Sequence, residues 1–125
     1  MSDDLLESAF HAQLLLIHGI CKEILELLGS NQSQIFSAEI LASIPTIKSG
    51  SEFRQIVQII IHQPERSLQS FQLNALQMNI LHQKTQLLAM QYLGKEYAQA
   101  VISDLFQRLP RHLKASLTKW FVSLQ

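Results

Sequence analysis

Two histidines and the single cysteine near the start of the chain are the residues best suited to bind a metal ion. On a helix, Glu7 and His11 are four residues apart and His18 and Cys21 are three apart, so each pair shares one face. Zinc sites need three or four such ligands that converge, and no second segment is rich in histidine or cysteine. We therefore predict no metal and no other cofactor, and we expect Cys21 to be a small buried hydrophobe.

Acidic and histidine side chains are present but form no recognisable catalytic motif. The ten acidic residues and five histidines are spread along the chain. A glycine-rich phosphate loop, a nucleophile elbow and a His-Glu-x-x-His pair are all missing from the sequence. We predict that the protein is not an enzyme.

The basic C-terminal end is the clearest candidate for a binding surface. Arg108, Arg111, Lys114 and Lys119 lie there together with Trp120, and the same stretch contains no acidic residue after position 108. Cations with an aromatic neighbour could bind a nucleic-acid backbone or another partner. The same cations could equally form the solvated face of a helix. We favour the solvated face, because nucleic-acid modules are usually basic overall and this chain has a net charge of zero.

Composition indicates one globular domain over residues 1–125. The chain is 47% hydrophobic and only 16% charged, and fifteen glutamines supply much of its polarity. Residues 1–47 carry six acidic residues and one basic residue, a net charge of −5, whereas residues 48–125 carry four acidic and nine basic residues, a net charge of +5. The two parts could attract each other within one chain or between two copies. A weakly charged surface at zero net charge also favours self-association.

Helical periodicity interrupted by glycine and proline predicts an all-α fold. Helices are predicted over residues 3–28, 32–43, 50–62, 64–93 and 95–109, with a last helix after Pro110. The third is ambiguous because it is rich in β-branched residues, but a capping box at its start favours a helix. A kink near residues 82–85 is an open alternative. Because every loop is short, we expect a compact bundle of five to six antiparallel helices, with the first and fourth as two long central members.

The first helix has an apolar stripe that is wider than a single contact seam. Its residues recur at alternating spacings of three and four, and only Gln13 interrupts the series. The helix should therefore have several neighbours and lie near the centre of the fold or of a dimer. The fourth segment shows two apolar stripes, which imply two sets of neighbours. The residues expected to be largely buried are Phe10, Ile17, Ile24, Phe71, Met78 and Phe106.

One local pattern is similar to a known repeat family. The sequence Glu96-Tyr97-Ala98-Gln99-Ala100-Val101, after Gly94, resembles the turn and second helix of a tetratricopeptide unit over about 17 residues. The family's large first-helix residue has no counterpart at a matching place. We interpret this segment as an ordinary helical hairpin and transfer no peptide-binding role to it.

The surplus of apolar helix faces favours a non-enzymatic function. We expect an adaptor, chaperone or regulatory subunit that contacts a protein partner and forms a homodimer, with the first or last helix in the interface. The alternative is a small subunit of a nucleoprotein assembly that binds nucleic acid through the basic C-terminal helix. No leader peptide and no apolar run near the roughly 20 residues of a spanning helix occurs. We therefore predict a cytoplasmic protein without a membrane partner.

Overall fold

The computed structural model describes residues 3–42 and 75–124, with side chains at 8–40, 42 and 76–120. These residues form five helices: α1 Asp3–Leu28, α2 Ser30–Leu41, α3 Ala75–Leu93, α4 Lys95–Arg108 and α5 Arg111–Leu124. The described ranges contain no strand, and the predicted all-α class is confirmed. The helix predicted over 50–62 and the first part of that predicted over 64–93 lie outside the described residues.

The helices end at or near the positions predicted from glycine and proline in the sequence. Gly29 and Gly94 adopt φ angles of +96° and +86°, a left-handed region that glycine enters without steric cost. Their amides continue the preceding helices, because Gly29 N–H donates to Leu25 O and Gly94 N–H donates to Met90 O. The new helix follows at the next residue each time. The second helix, predicted to begin at residue 32, therefore begins at Ser30.

No break occurs near residues 82–85, in contrast to the kink considered from the sequence. α3 is continuous from Ala75 to Leu93. The Thr85 hydroxyl, which is buried, donates to Leu81 O at 2.7 Å within the same helix. This local bond satisfies the hydroxyl without interrupting the backbone ladder.

α1 is the central helix, and it packs on α2, α3, α4 and α5. The wide apolar stripe predicted from its sequence is thus covered on several sides within one chain, except at the C-terminal end, where Leu25, Leu27 and Leu28 are exposed. Phe10, Ile17, Ile24 and Met78 are buried as predicted. Phe106 is only partly buried, and Phe71 lies outside the described residues.

Polar contacts join the acidic N-terminal part to helices of the C-terminal part. Tyr92 donates from its hydroxyl to Glu39 Oε1 at 3.0 Å, which ties α3 to α2. The Tyr92 ring also meets Phe36 edge to face at 5.5 Å. Tyr97 donates to Glu23 and ties α4 to α1. In these contacts tyrosine hydroxyls, rather than cations, face the carboxylates of the first part.

Candidate functional site

The basic residues at the C-terminal end do not form one concentrated patch. Arg108 is exposed and lies 2.9 Å from Asp104, one turn earlier on α4. On α5, Arg111, Lys114 and Lys119 spread over roughly 140° of the helix circumference at about 100° per residue. Lys114 Nζ also donates to a neighbouring glutamine on α4. This distribution is typical of a solvated helix face.

Trp120 does not lie on the surface with these cations. Its side chain is 3% exposed and belongs to the core, as do those of Leu113 and Leu117 on the same helix. Trp120 was predicted from the sequence as a possible contact residue, and in the packed chain its side chain is buried. A buried indole cannot stack on a nucleotide base without a rearrangement of α5.

The cysteine of α1 is buried against α2. Cys21 is buried, and its Sγ lies 3.1 Å from Ser37 Oγ of α2. Burial raises the pKa of the thiol, while the Ser37 contact acts in the opposite direction. Cys21 is therefore a small buried hydrophobe, as predicted. Among the described side chains, no three potential ligands of the His, Cys, Asp or Glu type converge, and the Glu7 side chain is outside that set.

A groove opens between four helices. It has a volume of about 600 Å³ and receives side chains from α1, α3, α4 and α5. The lining residues are Leu16, His82, Gln86, Met90, Gln99, Ile102, Ser103, Phe106, Leu117 and Thr118. We call it the four-helix groove.

The four-helix groove is apolar at its floor and polar, but uncharged, at its rim. Leu16 and Leu117 are buried, whereas the rim residues are exposed glutamines and hydroxyl residues. Among the residues that the structure describes, no Asp, Glu, Lys or Arg lines the groove. The site can therefore offer apolar surface and neutral hydrogen-bonding groups, but no full charge at neutral pH.

A partly buried amide–imidazole pair lies at the groove, and its imidazole, that of His82, is a lining residue. Gln13 of α1 is 1% exposed, and its Nε2 donates to His82 Nδ1 of α3 at 2.5 Å. Burial lowers the pKa of His82 to about 4, so the ring is neutral at pH 7, and the tautomer with its proton on Nε2 lets Nδ1 accept this bond. Gln13, which interrupts the apolar stripe of α1, thus forms a specific hydrogen bond between α1 and α3.

A second feature is an exposed apolar stripe along α3. Leu76, Ile80 and Leu87 are 68%, 48% and 54% exposed, and Gln83 lies between them. The four positions fall within about 60° of the helix circumference and span about 16 Å of its length. Met78 and other core residues lie on the opposite side of the helix. We call the four exposed residues the α3 stripe.

Neither the Gln13–His82 pair at the groove nor the α3 stripe was identified from the sequence, although the sequence contains an indication of each. Gln13 and His82 are polar residues in otherwise apolar stripes of two different segments, and such interruptions often pair. The α3 stripe contains three residues of the second apolar stripe noted in the fourth segment. A second set of neighbours was expected for it, but one chain leaves those three side chains exposed.

Comparisons with known proteins give a family but no function. None of the described helices is long and apolar enough to cross a membrane. No curated protein and no solved structure matches the chain. The sequence model of one family, described as a family of unknown function (DUF7469), matches residues 2–125. Because that match spans nearly the whole chain, the protein belongs to the DUF7469 family.

Proposed function

We propose that the protein is a non-enzymatic adaptor, chaperone or regulatory subunit, and that it self-associates through the α3 stripe. The observation that supports this is that α3 is apolar on two opposite sides. One side packs in the core, while Leu76, Ile80 and Leu87 face solvent. A helix that is apolar on all sides is normally covered on all sides, and a contiguous exposed apolar patch typically marks an interaction site.

The proposed interface differs from the one expected from the sequence. The first and last helices were preferred because their apolar stripes are wide. Ile17 and Ile24 of α1 and Leu117 of α5 are fully buried within one chain, so those faces are not available to a partner. Leu25, Leu27 and Leu28 at the C-terminal end of α1 are exposed as well, but the α3 stripe places its exposed apolar residues along one face of a helix.

A second copy of the chain is the partner that the stripe fits best. Its four residues follow one another at spacings of four, three and four, a pattern that reads the same in both directions. In an antiparallel pair of α3 helices, Leu76 would oppose Leu87 of the other copy, and Ile80 would oppose Gln83. Such a contact is self-complementary, as a two-fold interface requires. No charge on these four residues opposes the approach of a second copy.

The contact should be weak. The contact runs along a single helix face about 16 Å long. The area buried by such a contact is small compared with the roughly 800 Å² that each partner buries in a standard interface. We therefore expect a dissociation constant in the micromolar range. The proposal keeps the predicted cytoplasmic location, where the buried thiol of Cys21 would stay reduced.

Sedimentation velocity over a range of protein concentrations tests the proposal. Leu87→Lys should abolish the dimer, because it places a charge at the interface. Leu27→Lys is the matched control, since Leu27 has the same residue type and the same 54% exposure but lies on α1. It should leave the dimer intact. A wild-type chain that stays monomeric at high micromolar concentration, or equal behaviour of the two variants, would contradict the proposal.

A further inference from the structure

The four-helix groove is not explained by self-association through the α3 stripe. Its volume of about 600 Å³ lies within the roughly 300–1,000 Å³ of small-molecule sites. Four helices contribute to its walls, so a ligand would be surrounded on several sides. We propose that the groove binds one uncharged small molecule with an apolar body and a neutral hydrogen-bonding head, such as an alcohol, ketone or amide.

The apolar body of the ligand would rest on the floor of the groove. The partly buried Ile102 and Phe106 provide its accessible apolar surface, and the buried Leu16 and Leu117 lie beneath them. Met90 adds a flexible thioether that can adapt to the shape of a ligand. Transfer of an apolar group from water to this surface contributes about 25 cal/mol per Å² buried.

The neutral head would lie at the rim. Gln86 and Gln99 provide amides, while Ser103 and Thr118 provide hydroxyls, and all four are exposed. Amides and hydroxyls both donate and accept hydrogen bonds. The rim can therefore form hydrogen bonds with a head group that donates or accepts them, without a fixed charge.

The absence of charged lining residues sets the ligand class. A carboxylate, phosphate or ammonium group that entered the groove would lose hydration and would meet no opposite charge there. His82 does not change this conclusion, since burial lowers its pKa to about 4 and the ring is neutral at physiological pH. A charged amphiphile should therefore bind more weakly than a neutral one with the same apolar body.

Two related fluorescent probes provide the test. N-phenyl-1-naphthylamine is neutral, and 8-anilino-1-naphthalenesulfonate has the same ring system with an added sulfonate. We expect saturable binding of the neutral probe at one molecule per chain. The sulfonate should bind at least about tenfold more weakly because of its desolvation cost. Equal or tighter binding of the sulfonate would overturn the assigned ligand class.

Substitutions at the rim test the location. Ser103→Phe should fill the mouth of the groove and lower the affinity for the neutral probe at least about tenfold, because a bulky side chain would occupy the ligand's volume. Ala100→Phe is the matched control, as Ala100 is exposed on the same helix but does not line the groove. It should bind the probe as the wild type does. Equal affinity of these two variants would place the probe elsewhere and refute the site.

A second variant that blocks the groove keeps the test valid if Ser103→Phe does not fold. Thr118→Phe enters the groove from α5, and Ala115→Phe is its control on an exposed position of that helix that does not line the groove. Circular dichroism should show that the variants are folded. Leu87→Lys should leave probe binding unchanged, so failure of the dimer and failure of the groove give different results.

Discussion

α1 and α3 both have more apolar surface than one packing contact needs, yet the fold uses that surface differently. α1 lies at the centre, where α2, α3, α4 and α5 pack on it and cover its stripe except at the C-terminal end. α3 packs one side on the core and leaves Leu76, Ile80 and Leu87 in solvent. An apolar surplus in the sequence therefore does not reveal which helix is covered within the chain. Only the packing of the other helices shows where apolar surface remains for a partner.

The largest expected effect is a loss of stability on truncation within α1. Ile17→Ala should lower the free energy of unfolding by about 2–5 kcal/mol, because it removes buried methyl groups and leaves a cavity. Leu87→Ala on the exposed side of α3 should change it by no more than about 0.5 kcal/mol. Urea unfolding of the monomer at low concentration measures both. Equal losses of unfolding free energy for the two variants would contradict the difference in burial between α1 and the exposed side of α3.

The Gln13–His82 link between α1 and α3 should give the next largest effect. Gln13→Leu and His82→Leu should each cost about 1–3 kcal/mol, since each change removes one partner of a buried hydrogen bond. The double variant should cost less than the sum, with a coupling of about 0.5–3 kcal/mol. A sum that is simply additive would show that the two side chains do not interact.

The same link should make stability depend on pH. Burial lowers the pKa of His82 to about 4; burial, with a smaller effect of Lys22, also lowers that of His18. Between about pH 6.5 and pH 4 the unfolded chain binds more protons than the folded chain, so the free energy of unfolding falls as the pH drops. Above that window the neutral histidines make their full contribution to stability. The urea midpoint should therefore decrease from about pH 7 to pH 5.

The variant His82→Gln isolates the contribution of this ring. Glutamine does not titrate in that range, so the decrease should be smaller than in the wild type. His112→Gln is a control, because His112 is exposed on α5. If His82→Gln and the wild type show the same slope with pH, His82 is not the group that titrates.

The smallest effect is expected at the basic end. Replacing Arg108, Arg111, Lys114 and Lys119 with glutamine should leave any oligonucleotide binding unchanged if these residues only solvate α4 and α5. If they bind phosphates, each charge removed should lower the salt slope of binding by about 0.7–0.9. Salt-sensitive binding by the wild type with a dissociation constant below roughly 1 μM would support the nucleoprotein alternative, because non-specific binding is normally weaker.

Local features of the fold followed from the sequence more closely than contacts between distant residues. The bounds of α1, Asp3–Leu28, match the prediction because periodicity and a closing glycine are local properties. The central position of α1 also followed, since a wide apolar stripe requires several neighbours. The Gln13–His82 bond joins residues 69 positions apart. A periodic pattern on one helix cannot identify the partner on another.

The groove and the α3 stripe were not predictable for a related reason. The groove is formed by side chains from four helices, and no single segment shows a motif for it. Trp120 was assigned to the basic end from the sequence, whereas the packing of α5 places its side chain in the core. Which apolar face stays exposed is a property of the packed chain.

A cysteine crosslinking experiment tests the central claim, that α3 pairs with α3 of a second copy in antiparallel orientation. In that pairing, residues 83 of the two copies lie about 4.5 Å apart along the helix axis, whereas residues 91 lie about 28 Å apart. Both positions are exposed glutamines, and the buried Cys21 serves as the wild-type background. Gln83→Cys should be crosslinked to a dimer by a short bismaleimide, and Gln91→Cys should not. Crosslinking of both variants alike, or of neither at concentrations above the dissociation constant, would contradict the account.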